Sequence, residues 1–155
     1  MNLHALLTKR TQEKGPLRVG LIGAGKFGSM YLAQAKSTAG IHLAAVADLA
    51  PGRAVEALRR TGWPEGQGAA ATLADALAHG TTFITDDAPA LIAAPGLDVI
   101  SDATGNPSAG IAHVLACCRH KKPIVMVNVE ADALAGPLLA RRAAEAGIVY
   151  SLAYG

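Results

Sequence analysis

Cysteine is almost missing from this chain: Cys117 and Cys118 are the only two among 155 residues, and they are adjacent. Neighbouring side chains on a helix point in different directions, which disfavours a disulfide between them. Two thiols without a framework fit a reducing compartment better than a secreted one, so a cytoplasmic location is expected. Charge is also sparse, at 17% of residues with a net +2, and the basic doublets Arg59-Arg60, Lys121-Lys122 and Arg141-Arg142 stand apart. That balance argues against a nucleic-acid binder, which needs a dense basic surface, and against a disordered tail. No apolar run approaches the roughly 20 residues of a membrane span. The opening MNLHALLTKRTQEKG has no apolar core or small-residue cleavage site, hence no signal-peptide pattern. The five histidines, His4, His42, His79, His113 and His120, show no metal-ligand spacing and read as surface or satisfied core residues. Asp86-Asp87 reads as a helix cap rather than half of a metal site.

What the chain does contain is apolar residues, 51% of the total, enough for one domain with its own core. Residues 1–15, with Leu3, Leu6 and Leu7, read as a separate amphipathic helical extension that packs on a sheet or on another chain. Short apolar runs then alternate with helical segments. Strands are expected at 17–22, 41–47, 81–85, 97–101, 123–128 and 148–153. Helices are expected at 27–37, from Pro51, after Thr72, after Asp86-Asp87, at 108–118 and at 131–146, with Gly40 as a C-cap after the first of these. The strands are nearly continuous apolar runs, the mark of burial on both faces. Six alternations predict an α/β fold, a doubly wound parallel sheet spanning residues 16–155.

Within it, residues 19–30 read VGLIGAGKFGSM. Gly23, Gly25 and Gly28 form a G-x-G-x-x-G pattern after a strand and at the start of a helix. Asp48 ends the second strand, twenty positions after Gly28. In that context each glycine answers a different need. Gly23 allows a tight turn, Gly25 the close approach of a pyrophosphate, and Gly28 close packing of the helix. The loop residues Ala24, Lys26 and Phe27 complete the phosphate seat, because a helix N-terminus offers unpaired N–H groups. Asp48 is suited to accept hydrogen bonds from a ribose, which favours NAD. Arg53, five residues on, reads equally as a group that neutralises the extra phosphate of NADP or as a solvated arginine in the first helical turn. The turn Asp102 to Pro107 (DATGNP) ends the fourth strand, so Ala103, Thr104, Gly105 and Asn106 fall at the carboxyl edge where ligands bind. Asn128 and Glu130 reach the same edge after the fifth strand. These residues are expected to wall the nicotinamide end.

GLIGAGKFGSM, DATGNP, PIVMVNVEAD and the terminal VYSLAYG together resemble the homoserine-dehydrogenase-like oxidoreductases that carry a C-terminal SAF domain. That family includes the deoxyxylulose-phosphate-reductoisomerase-like enzymes. The resemblance runs from about residue 15 to the end. It implies an N-terminal Rossmann domain that binds NAD or NADP, followed by a catalytic and dimerising domain and the SAF domain, both lying outside this chain. It further implies a homo-oligomer and a small-molecule substrate held by the missing domain. Homoserine dehydrogenases carry a catalytic lysine after an asparagine at the end of the fifth strand. Here Asn128 is followed by Val129, so no catalytic residue is assigned within the chain. The rival readings are a nucleotide-sensing module without catalysis, and a coenzyme A site at the same glycine turn.

Overall fold

The computed structural model describes residues 2–153; Tyr154 and Gly155, which close the VYSLAYG stretch, lie outside the described residues. Six strands, β1 (Leu17–Ile22), β2 (Ile41–Ala47), β3 (Phe83–Thr85), β4 (Val99–Asp102), β5 (Ile124–Met126) and β6 (Tyr150–Leu152), form one sheet in the order β3-β2-β1-β4-β5-β6. Every pairing is parallel. Parallel neighbours need crossovers, and the described residues form seven helices: α1 (Leu3–Lys14), α2 (Lys26–Ala35), α3 (Pro51–Arg60), α4 (Leu73–His79), α5 (Ala88–Ala93), α6 (Pro107–His120) and α7 (Val129–Ala146). The sheet is covered on both faces, by α2 and α3 through Leu21, Leu32, Leu43, Val46 and Leu58, and by α4 to α7 through Ile22, Ile92, Ile100, Val114 and Leu139. The doubly wound α/β fold expected from the alternation is the fold observed. None of the described helices is long and apolar enough to cross a membrane.

β1, β2 and α3 have the limits their composition predicts, because apolar runs there meet a glycine, an aspartate or a helix-starting proline. Elsewhere the boundaries move. Gly40 does not cap α2, which ends at Ala35 with Lys36 as its C-cap; it holds φ +88° directly before β2, and Thr11 and Leu7 of α1 crowd the place where its side chain would be. β4 extends through Asp102, since that carboxylate finds buried partners instead of ending the strand. β5 stops at Met126, and Val129 and Glu130 already belong to α7, capped by Asn128. β3 is confined to Phe83–Thr85, and α6 begins at Pro107 and runs two residues past Cys118. The extension at the N-terminus is helical as expected, but α1 buries none of its residues. It sits by the amino ends of the strands, where Arg10 pairs with Asp98 at 2.9 Å.

Candidate functional site

Between β1 and β4 the strand order reverses, and the chain leaves the two strands in opposite directions. The carboxyl ends of the strands therefore separate there and open a crevice. A cleft of about 420 Å³ occupies it. Gly23 and Gly25 line it from β1, Asp48, Leu49 and Arg53 from β2, Asp86 and Pro89 from β3, and Ala103, Thr104, Asn106 and His113 from β4 and α6.

The three glycines of the turn have three different reasons to be glycine. Gly23 has φ +95°, and a Cβ there would lie 2.9 Å from the Ala103 backbone. A Cβ on Gly28 would run into the carbonyl oxygen of Gly23, so this residue lets α2 approach the strand. Gly25 is constrained by neither. Its φ is −70°, open to any residue, and an added Cβ meets nothing within 4 Å. Nothing in the fold requires glycine at this position, and a side chain there would project into open space at the cleft. α2 also begins at Gly25 without a side-chain cap, as α3 does at Ala50, whereas Asn2, Thr72, Asp87, Asn106 and Asn128 cap α1, α4, α5, α6 and α7. The first N–H groups of α2, with their partial positive charge, are left to whatever occupies the cleft.

Asp48 is 7% exposed and is held on both oxygens. Its Oδ2 accepts from the Ala24 N–H at 2.8 Å, fixing the glycine turn, and its Oδ1 accepts from the Ala50 N–H and from Arg53, each at 2.8 Å. Burial by itself pushes this carboxyl up, but the hydrogen bonds from Ala50, Ala24 and Arg53 outweigh it and hold the group below the usual carboxylate range. Arg53 thus lies on Asp48 rather than reaching away from it. Beyond Arg53 a second, more open cavity of about 510 Å³ is lined by Lys26, Ser29, Arg53 and Arg60.

The DATGNP turn is organised by buried hydrogen bonds. Asp102, fully buried, accepts from the Thr104 N–H at 2.9 Å and from the Thr104 hydroxyl at 2.8 Å through Oδ1, and its Oδ2 lies 2.7 Å from His113 Nδ1. Asn128 donates through Nδ2 to Thr104 Oγ1 at 3.0 Å and to the Asn106 carbonyl at 2.8 Å, and accepts from the Ala131 N–H.

Of the residues singled out from sequence, Gly23, Gly25, Asp48, Arg53, Ala103, Thr104 and Asn106 line the cleft together, while Lys26 lies at the adjoining cavity with Ala24 and Gly25. Gly28 is buried behind the turn and Phe27 is exposed beside it. Asn128 is 1% exposed, and its amide is committed to the turn, so it holds the wall from behind. Gly105 and Glu130 are exposed and absent from the cleft's lining, Gly105 with φ +69°. Two titratable lining residues go beyond the site residues that the sequence points to. Asp86 faces the cleft while Asp87 caps α5. His113 is not a bystander: its place on α6, one turn beyond Ala109 and over the end of β4, brings it to the cleft. Only the assumption of a βα unit folding back on itself connects it to Asp102, eleven residues earlier.

No protein-family model matches the chain, and no curated protein matches it. Solved structures do resemble its fold. An oxidoreductase from Agrobacterium radiobacter, in complex with NAD+, L-tartaric acid and magnesium, is 24% identical with a TM-score of 0.65, over 88% of this chain and 34% of that one. Myo-inositol dehydrogenase from Lactobacillus casei, in complex with NAD(H) and myo-inositol, is 17% identical with a TM-score of 0.65, over 88% and 36%. An NAD binding oxidoreductase from Klebsiella pneumoniae is 20% identical with a TM-score of 0.61, over 89% and 34%. The chain therefore spans about a third of the length of the structures it matches, and what it shares with them is the Rossmann-like fold.

Proposed function

We propose that this chain is the dinucleotide-binding part of an NAD(P)-dependent oxidoreductase. The observation that carries the reading is the open space at Gly25, a glycine the fold itself does not need, set at the uncapped start of α2. A pyrophosphate fits that combination, because its bulk needs the missing side chain and its charge suits the free N–H groups. The similar structures support it, since their ligands include NAD+ and NAD(H). In this reading Gly23, Ala24, Gly25 and Lys26 seat the phosphates, Asp48 faces the adenosine ribose, and Ala103, Thr104 and Asn106 wall the nicotinamide end. When bound, the nicotinamide supplies hydride transfer; the chain's own residues bind and orient it.

NAD is the cofactor favoured by the Asp48 carboxylate, which repels an extra phosphate. NADP is the second reading, favoured by Lys26, Arg53 and Arg60 around the adjoining cavity. By its motifs the whole protein resembles the homoserine-dehydrogenase-like, SAF-bearing oxidoreductases. Substrate would then be held by a further domain, and Leu134, Leu138 and Val149, all exposed, supply apolar surface for that domain or for a second copy of the chain.

Calorimetric titration with NAD+ and NADP+ tests the proposal. The chain is expected to bind dinucleotide without turning over hydroxy acids, homoserine or sugar phosphates. Gly25→Val is expected to lower affinity at least tenfold with an unchanged melting temperature. Equal affinity in a folded Gly25→Val protein overturns the phosphate seat.

A further inference from the structure

The cleft is poorly matched in charge to the ligand just proposed. Asp48, Asp86 and His113 line it, Asp102 stands directly behind His113, and Arg53, its one lining arginine or lysine, is already paired with Asp48. A pyrophosphate brings two more negative charges into this partly desolvated space. The group able to answer them is His113. Its side chain is 10% exposed, and its Nδ1 meets the Asp102 carboxylate at 2.7 Å, which makes Nδ1 the nitrogen that carries hydrogen. Nε2 has no protein partner. No buried side-chain nitrogen or oxygen among the described residues lacks a partner, so Nε2 is exposed to the cleft that His113 lines.

Resting on the dinucleotide reading, we infer that His113 is a ligand-contacting residue whose Nε2 takes up a proton when the dinucleotide binds and donates it in a hydrogen bond to the ligand. The imidazolium so formed is held between the Asp102 carboxylate behind and the ligand in front. No bond breaks; one proton moves from solvent to Nε2. The groups that face His113 leave this role to it. β4 presents Asp102, and the loops after β2 and β3 present Asp48 with Arg53, and Asp86. α5 presents only Ala88 and Pro89 to the cleft. α7 meets α6 through Asn128 and Ala131 at Gly110, Glu130 is exposed, and Asp132 accepts from the Tyr150 hydroxyl. On α6 itself, Cys117 one turn on is a neutral thiol, since burial pushes it up to about 12.

The sign follows from linkage. A proton bound more tightly in the complex than in the free chain makes affinity greatest at low pH. Affinity then falls by up to about tenfold per pH unit between the free and the bound titration midpoints. The test is calorimetry with NAD+ and the intact chain from pH 5.5 to 8.5, in buffers of different ionisation heat, joined to NMR titration of the histidine ring signals. Expected are net proton uptake on binding, an upward shift of the His113 midpoint with NAD+, and loss of the uptake in His113→Asn, whose amide can still donate to Asp102. If His113→Asn does not fold, the wild-type ring titration decides alone. Binding without proton uptake, uptake that persists in His113→Asn, or a midpoint that NAD+ does not move overturns this inference and leaves the dinucleotide reading standing. Absence of binding to NAD+ and NADP+ at every pH overturns both.

Discussion

Asp48 serves the fold and the cleft with the same carboxylate. One oxygen fastens the glycine turn through Ala24, and the other fastens the start of α3 through Ala50 and Arg53. Its titration in the folded chain lies below the ordinary value, so its stabilising effect is present above the unfolded-state pKa, about 3.9, and is lost as pH falls through the depressed value. Thermal melts of wild type and Asp48→Asn are therefore expected to differ fully at neutral pH and to converge in acid below about pH 4. In the cofactor reading, Asp48→Ala weakens NAD+ and narrows or reverses the preference over NADP+, measured by competition titration. A wild type that prefers NADP+ and loses the preference in Arg53→Ala favours the second reading instead. At this scale the glycine spacing revealed the turn, because backbone conformation is encoded locally. It did not reveal which glycine the fold can do without. That depends on Ala103, some eighty residues on, standing over Gly23 and on no atom standing over Gly25. His113 was obscured for the same reason, its partner and its cleft both being supplied by tertiary structure.

At the scale of elements, the limits of β1, β2 and α3 were readable from composition, and those of β4, β5 and α7, set by buried polar residues, were not. Asp102 and Asn128 look like loop residues in sequence. Both are buried because each satisfies the other side of one network: Asp102 arranges Thr104, and Asn128 binds Thr104 and the Asn106 carbonyl while capping α7. Asn128 thereby couples the β4–α6 turn to the β5–α7 turn. Its replacement by alanine removes a helix cap and the amide bond to the Asn106 carbonyl, which keeps the Gly110 N–H, an expected loss of about 1–2 kcal/mol. Urea denaturation of Asn128→Ala measures it. A loss under about 0.5 kcal/mol would mean that water replaces the amide at no cost.

Over the whole molecule, the two walls of the cleft come from distant parts of the chain. Gly23 and Asp48 belong to the first fifty residues, whereas Thr104 and His113 arrive after the excursion through α3, α4 and α5. β1 and β4 are neighbours in the sheet, and Arg18 and Asp98 are bonded across 80 positions of sequence. Such contacts close long loops and form slowly compared with β1 against β2. The β1–β2–β3 half, covered on one face by α2 and α3, is expected to assemble before β4 docks. Until β4 docks there is half a cleft, with the glycine turn formed and nothing opposite it. In the dinucleotide reading, nucleotide affinity is thus a clock for the last stage of folding: in refolding from urea it is expected to return with the slowest phase, after far-UV circular dichroism has recovered most of its amplitude. Supplied during refolding, the nucleotide can select only chains whose two halves have already met.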